Sequence, residues 1–192
     1  NIDGVQKDLC DPIDRDCSLS IITLDSEEGL EIMRHTVAAQ VLALAIKNIH
    51  PDAKLAIGPT IENGFYYDFL TQKTISTEDL PKIEDEMRKI IQEKSTIKKS
   101  LHDKNNAIGF FENRSEDYKI KIIEESEQSD HFQIYSNEDA DFIDLCRGPH
   151  LPDLSHIGAF KLTKVSGAYW KGDSSNELSL IHISEPTRRN SI

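Results

Sequence analysis

The spacing of apolar residues predicts two long amphipathic helices in the first half of the chain. Asp25 and Glu28 have capping-box spacing and mark the start of the first helix, which should run to about Ile49 before Pro51 ends it. The second helix should span residues 76–94. Apolar side chains recur at helical spacing in both, at Ala38, Leu42, Ala45, Ile46 and Ile49 and at Leu80, Ile83, Met87, Ile90 and Ile91.

Shorter apolar runs between turn residues predict strands and two further helices. We expect strands at residues 5–9, 18–24, 54–57, 65–69, 96–101, 131–135, 140–146 and 158–170, and short helices at 105–112 and 115–125. Strands grouped around three or four helices indicate an α+β fold. The first two strands would form a hairpin too small to bury a sheet face, so we expect it to be poorly stabilised.

Composition limits the class of protein. The chain has 192 residues, long enough for one medium domain or for a domain and a fragment. It contains no run of 18 apolar residues and begins without a secretory signal, so we expect neither a membrane span nor export. Cys10, Cys17 and Cys146 have no metal-like spacing, which favours reduced thiols in the cytoplasm.

The net charge of −12 argues against a protein that binds nucleic acid through a broad basic surface. A nucleic-acid ligand would have to be held locally or by other domains. The local candidates are Arg147, Lys161, Lys164 and Lys171.

The richest chemistry lies in residues 142–150, where a carboxylate, a thiol, a guanidinium and an imidazole follow an apolar strand. Asp144 and Cys146 are two residues apart and share a strand face. The Gly148-Pro149 turn can fold His150 back beside Cys146, which gives a pair suited to nucleophilic chemistry or metal binding. The alternative is structural: an isolated Cys is usually a small buried apolar residue, and an isolated His is usually packed and hydrogen-bonded.

Long ordered motifs identify a family. The segments IDLCRGPHLP and GAFKLTKVSGAYWKGDSSN resemble the second half of the editing domain of bacterial threonyl-tRNA synthetases, and AIGPTIENGFYYDF at residues 56–69 resembles its first half. The resemblance covers residues 1 to about 177. It implies a C-terminal remnant of a ubiquitin-like (TGS-like) domain at 1–25 and an editing domain with an antiparallel sheet and packed helices at 26–177.

The last residues do not fit the family. From about residue 178 the chain looks like the translation of a sequencing-library adapter, so residues 178–192 are interpreted as non-native and are left out of the fold prediction. We expect the chain to be a fragment that lacks the catalytic core. ATP and a zinc ion would belong to that missing core, and the parent enzyme would be a homodimer through missing domains.

The resemblance also implies a set of site residues. As catalytic residues it gives His35, Lys119, Cys146 and His150, and as substrate-binding residues Tyr67, Asp144, Gln40 and Arg147. In the roles that it implies, His35 and Lys119 position and activate a water, Asp144 holds the α-amino group, His150 touches the ribose and Cys146 shapes the pocket. The implied partner is the acceptor end of tRNA(Thr).

One family residue is missing. The family has a second histidine four residues after the first, whereas Ala39 and then Gln40 follow His35 here, as if one residue were inserted. Residues five apart on a regular helix lie about 140° apart and cannot share a face. A single inserted residue is commonly absorbed as a π-bulge. We therefore expect a bulge within residues 35–41, with Gln40 facing Cys146; the alternative is a straight helix in which Gln40 turns away.

Three functions remain open from the sequence. The first is hydrolysis of mischarged seryl-tRNA(Thr). A binding pocket alone separates serine from threonine by only about 1–3 kcal/mol, so a threonyl-tRNA synthetase needs a second site that removes serine. The second is a non-catalytic module that positions the tRNA acceptor end. The third is a zinc-dependent hydrolase of the alanyl type, with His35, Cys146 and His150 as ligands.

Overall fold

A long buried helix forms the centre of the fold. The computed structural model describes residues 1–61, 64–128, 131–169 and 178–186. The helix consists of α1 (Glu27–Thr36), a π-helical segment (Val37–Leu42) and α2 (Ala43–Ile49). Its cap is Ser26 and not Asp25, because the Ser26 side chain accepts a hydrogen bond from the Gly29 N–H at 3.0 Å.

The central helix is apolar enough, by length and composition, to cross a membrane. Within the fold, however, 78% of its most apolar window is buried by other parts of the protein. All residues from 36 to 46 are buried. This is the behaviour of a core helix that is surrounded on every side.

The π-helical segment confirms the predicted bulge. The N–H of Ala43 donates to the carbonyl of Ala38, five residues earlier, where a regular α-helix would bond to the fourth. The extra residue is thereby absorbed, and Leu42 and Ile46 both remain fully buried in the core.

The larger sheet packs against this helix. It contains β1 (Lys54–Leu55), β2 (Thr60–Ile61), β3 (Gly64–Leu70), β7 (Phe160–Tyr169) and β8 (Leu178–Pro186). The short strands β1 and β2 both pair with β3, and β8 lies between β3 and β7, with every pair antiparallel. Alternate β3 residues Phe65, Tyr67 and Phe69 are fully buried in the same core as the helix.

A smaller antiparallel sheet carries the second half of the site. It consists of β4 (Ile97–His102), β5 (Phe132–Asn137) and β6 (Phe142–Leu145), in that order. The remaining helices are α3 (Leu80–Glu93), α4 (Lys104–Glu112) and α5 (Asp117–Glu125), with 3₁₀ turns at Thr77–Asp79 and Leu154–His156. The α+β class with antiparallel sheets and packed helices is confirmed.

The prediction of two N-terminal strands is wrong. Residues 1–26 form no strand, and only isolated bridges join Ile2 to Val5 and to Leu19. Several large apolar side chains of this segment are exposed, namely Val5, Leu9, Ile13, Leu19, Ile21 and Leu24. A short segment without a partner sheet cannot bury such side chains, and strand pairing is therefore not stabilised.

The C-terminal segment takes part in the fold, contrary to its exclusion above. The backbone of residues 178–186 forms β8 and pairs with β3 and β7. Its sequence, LSLIHISEP, contains four leucine and isoleucine residues among nine. Its origin in an adapter stays a prediction. Trp170 and Lys171 of the GAYWKG motif lie outside the described residues.

Replacing Gln40 by Met should stabilise the protein. The Gln40 side chain is fully buried, and within the described residues neither amide atom has a hydrogen-bond partner. Since burying an unpaired amide costs about 1–3 kcal/mol, Gln40→Met should raise the free energy of unfolding by about 1 kcal/mol in urea denaturation. Gln92→Met, at an exposed position of α3, is the control and should change little. A loss of stability in Gln40→Met would contradict the unpaired amide.

Candidate functional site

A cleft of about 640 Å³ lies where the two halves of the fold meet. The N-terminal end of the π segment and the Gly58-Pro59 loop form one wall, and α5 and the end of β6 form the other. Its polar lining comes from His35, Lys119, Asp144, Cys146 and Arg147, among others. Residues that are far apart in the sequence therefore converge on one volume.

A buried ionic network forms the floor of the cleft. The Lys119 ammonium pairs with the Asp144 carboxylate, and both side chains are only 2% exposed. The Tyr67 hydroxyl donates to the second Asp144 oxygen at 3.1 Å and accepts from the Lys119 ammonium at 3.1 Å. Each of the three groups thus bonds to the other two.

Protonation states in this network follow from burial. Burial raises the pKa of Tyr67 well above its ordinary value, and the Asp144 charge raises it further, so the phenol keeps its proton and donates. Burial also raises the pKa of Asp144, and the Lys119 ammonium and the Tyr67 hydroxyl partly oppose that shift. A charged pair held away from water is stable only when hydrogen bonds complete it, as the Tyr67 hydroxyl does here.

A neutral thiol and imidazole meet beside the network. The His35 Nε2 atom lies 2.6 Å from the Cys146 Sγ atom. Burial, with a contribution from the Asp144 charge, raises the pKa of Cys146 to about 12, so the sulfur is a thiol at neutral pH. Burial lowers the pKa of His35, which therefore carries no charge near neutral pH.

His150 lies behind this pair. Its ring stacks on His35, with centroids 4.6 Å apart and planes 7° from parallel, and meets the edge of Tyr135 at 4.4 Å. Burial, and then the nearby His35, lower the pKa of His150 well below its ordinary value. Both rings are therefore neutral, which lets them stack without charge repulsion.

The Thr36 hydroxyl sets the tautomer of His150. It has one hydrogen, which it donates to the Ile32 carbonyl at 2.8 Å. Its oxygen accepts from the Leu151 N–H at 2.9 Å and lies 3.2 Å from the His150 Nδ1 atom. Since the hydroxyl hydrogen is already used, His150 Nδ1 must carry the proton, which leaves a lone pair on Nε2. That Nε2 atom has no hydrogen-bond partner within the described residues.

Comparison with known proteins finds relatives that match most of the chain. Residues 133–177 match the family model described as the threonyl and alanyl tRNA synthetase second additional domain. The chain is 45% identical over 177 residues to a threonine--tRNA ligase of Acetivibrio thermocellus and 47% identical over 177 residues to one of Francisella philomiragia. Each match covers 92% of this chain and 27% of the relative. A threonine--tRNA ligase of Ehrlichia ruminantium is 47% identical over 169 residues, which cover 88% of this chain and 26% of the relative.

The chain is homologous to threonine--tRNA ligases over 92% of its length. It spans about a quarter of the length of the curated threonine--tRNA ligases that it matches. The part that matches the second additional domain contains Asp144, Cys146 and His150, whereas His35 and Lys119 precede it.

The structure brings together most of the residues that resemblance to the threonyl-tRNA synthetases selects. His35, Lys119, Asp144 and Cys146 line the cleft, Tyr67 bonds to two of them from below, and Arg147 lies exposed at the rim. Lys119 is 2% exposed, although a lysine in this helical pattern would ordinarily be solvated.

The placement of Gln40 is wrong. Ala39 lines the cleft in the position expected for Gln40, and Gln40 is buried away from the cleft lining. The π segment therefore absorbs the inserted residue without delivering the amide to the site. Sequence reasoning also missed Thr36 and Tyr135; the adjacency of Thr36 to His35 was the only local signal for either.

The donor atoms of His35, Cys146 and His150 all lie within 4.8 Å of one another. Two imidazoles and one thiolate fit the ligand set of a zinc ion with an open fourth position. Zinc would have to displace the thiol proton and widen the contact between His35 and Cys146, because ligand atoms at about 2.0–2.3 Å from one metal cannot lie so close together. The zinc hypothesis stays a prediction.

Thr36→Val should disturb His150 more than its small volume change suggests. The variant keeps the side-chain shape but removes the partner of His150 Nδ1 and of the Leu151 N–H, which should lower the free energy of unfolding by about 1–3 kcal/mol. It should also release the tautomer, which ¹⁵N NMR of the imidazole reports. Thr36→Ser keeps the hydroxyl and should preserve the Nδ1-protonated signal. An unchanged imidazole spectrum in Thr36→Val would contradict the assignment.

Proposed function

We propose that this chain hydrolyses the ester bond of mischarged seryl-tRNA(Thr), as an editing module of a threonine--tRNA ligase. The observation that carries the proposal is the convergence of neutral His35, neutral Cys146 and the Lys119–Asp144 pair on one cleft. Ester hydrolysis needs a placed water, a group that takes its proton, and donors for the developing oxyanion.

The charge state of each group suggests its role. Lys119 pairs with Asp144 and donates to the Tyr67 hydroxyl, so it serves as a donor to the water or to the developing oxyanion and not as the base. His35 is a neutral imidazole that lines the cleft, and it takes the proton of the attacking water. His150 holds the His35 ring in place by stacking and lies toward the ribose end.

Asp144 and Cys146 are proposed to bind the substrate, and the protonated state of Cys146 favours direct attack by water. Asp144 is the carboxylate for the α-amino group of the amino acid. In the proposed route water attacks the ester directly, because a pKa of about 12 disfavours the thiolate form of Cys146 at neutral pH. The thiol instead shapes the pocket around the serine side chain.

The setting of the reaction follows from the family. The parent enzyme would use ATP in a catalytic core elsewhere, act in the cytoplasm and form a homodimer. The acceptor end of tRNA(Thr) would enter past the exposed Arg147, with Lys161 and Lys164 exposed on β7 as further phosphate contacts.

One observation favours a second function. The cleft presents Ala39 where the family has a second histidine, so the site has lost one imidazole. A module that only positions the tRNA acceptor end would need the cleft but not that ring. Measured hydrolysis distinguishes the two functions.

The purified chain should hydrolyse seryl-tRNA(Thr) and spare threonyl-tRNA(Thr), because the extra methyl group of threonine blocks the attacking water. Cys146→Ala and His150→Ala should each lower the rate by at least about tenfold, since each removes a group that holds His35. Cys17→Ala and His102→Ala, remote from the cleft, are matched controls. Tight binding of tRNA without release of serine would instead favour the positioning module, and equal hydrolysis of both esters would exclude an editing role.

Hydrolysis should persist below the ordinary pKa of histidine. A base works only when it is unprotonated, and the pKa of His35 lies below the ordinary value of 6.5. The acid limb of a plot of log kcat against pH should therefore have its midpoint below 6.5. A midpoint at or above that value would mean that a different group takes the proton.

Ala39→His and Gln40→His should have opposite outcomes. Only Ala39 lines the cleft, so only Ala39→His can restore a second imidazole four residues after His35. We expect Ala39→His to raise the hydrolysis rate several-fold, below the factor of about 10²–10⁴ that a complete acid–base group contributes. Gln40→His should leave the rate unchanged or reduce it by disturbing the core. A gain in Gln40→His alone would reverse the assignment of the two positions.

A further inference from the structure

The cleft is supported from behind by a residue of the N-terminal segment. The Asp8 side chain is 9% exposed and bonds to three groups of the domain that follows it. One carboxylate oxygen accepts from the His150 backbone N–H at 2.9 Å. The other accepts from the Tyr135 hydroxyl at 2.7 Å and from the Lys99 ammonium at 3.1 Å.

Both Asp8 oxygens act on the same ring from different sides. One fixes the backbone of His150, and the other fixes the phenol whose ring meets the His150 imidazole edge-on at 4.4 Å. Burial and the Asp8 charge raise the pKa of Tyr135, so the phenol stays protonated and can donate. Asp8 thus constrains His150 in two ways, through the backbone N–H of His150 itself and through the ring of Tyr135 that packs against it.

The turn before His150 is fitted to this contact. Gly148 has a φ of +61°, and a Cβ atom at this position would lie 1.9 Å from the Tyr135 hydroxyl oxygen and 3.2 Å from Asp8. No side chain fits there, so the turn lies directly on the bond between Tyr135 and Asp8. A shift of Asp8 would therefore be transmitted to the turn and to the imidazole beyond it.

We propose that Asp8 is a positioning residue for the editing reaction, which holds the Gly148–His150 turn and Tyr135 so that His150 stacks on His35 in the cleft. This inference rests on the proposed function and adds to it a part of the site outside the editing domain itself. The N-terminal segment then contributes to catalysis through Asp8, although its other parts have little regular structure.

The neighbouring Asp11 supplies a matched control. Asp11 pairs with the same Lys99 ammonium at 2.6 Å and is 16% exposed. Its other oxygen accepts from the Asp8 backbone N–H at 3.0 Å, a bond that the amide oxygen of Asn can still accept, and no contact joins Asp11 directly to the His150 turn within the described residues. Asp8→Asn and Asp11→Asn therefore remove the same charge from the same cluster. Only the first changes a hydrogen bond to His150.

The experiment compares Asp8→Ala, Asp8→Asn and Asp11→Asn by kinetics on seryl-tRNA(Thr) and by the His150 amide resonance in ¹H–¹⁵N NMR spectra. Asp8→Ala should lower kcat by about tenfold to a hundredfold with KM within about twofold, because misplacement of a site residue affects the chemical step. Asp8→Asn should recover much of kcat, since an amide can still accept from the His150 N–H and can donate to the Tyr135 oxygen. Asp11→Asn should retain the unsubstituted kcat within about twofold.

The amide resonance decides the question without activity. Replacing a carboxylate acceptor by an amide weakens the hydrogen bond, so the His150 amide proton should move upfield in Asp8→Asn and stay in place in Asp11→Asn. Asp8→Asn carries this test even if Asp8→Ala fails to fold. An unmoved resonance, or a loss of kcat in Asp11→Asn as large as that in Asp8→Ala, would overturn the proposal. If the unsubstituted chain hydrolyses no seryl-tRNA(Thr), the proposed function is wrong, and the amide resonance alone decides whether Asp8 positions His150.

Discussion

The site depends on one deeply buried ion pair on the floor of the cleft, between Lys119 on α5 and Asp144 on β6. Neither charge would be tolerated alone at 2% exposure, so each fixes the other, and the Tyr67 hydroxyl on β3 completes the set. This arrangement joins three separate elements of the fold at one point. It also sets the electrostatics beside it, because the Asp144 charge is one reason why the neighbouring Cys146 keeps its proton.

The local spacing of apolar residues was enough to predict most of the helices and strands. It was not enough to predict which polar side chains the fold buries. The apolar stripe of α3 carries its own periodicity, and the structure buries Leu80, Ile83, Met87 and Ile90 as predicted. The N-terminal hairpin failed because strand formation needs a partner that the local sequence does not encode. Burial of Lys119 is a tertiary effect of the same kind, since only the fold brings Asp144 next to it.

The π segment shows what residue spacing alone cannot predict about the register of a helix. Helical geometry predicted correctly that one additional residue had to be absorbed near His35. It could not predict on which side of the insertion the register would be restored, and that choice placed Ala39 at the cleft and Gln40 in the core. Packing of the larger side chains decides the register, because Leu42 and Ile46 must stay buried whether Ala39 or Gln40 faces the cleft. Asp8 and Tyr135 likewise have no local signal, as their relation to His150 exists only after the turn has folded.

The order of the strands in the larger sheet has a consequence for synthesis. Strand β3 precedes its partner β8, which pairs along one edge of it, by more than a hundred residues. During translation at about 5–20 residues per second, that edge would stay open for several seconds while the intervening chain emerges from the ribosome. An unpaired edge flanked by Phe65 and Phe69 is a site for wrong pairing with other chains. The nascent chain is therefore most exposed to aggregation in the interval before β8 pairs with β3.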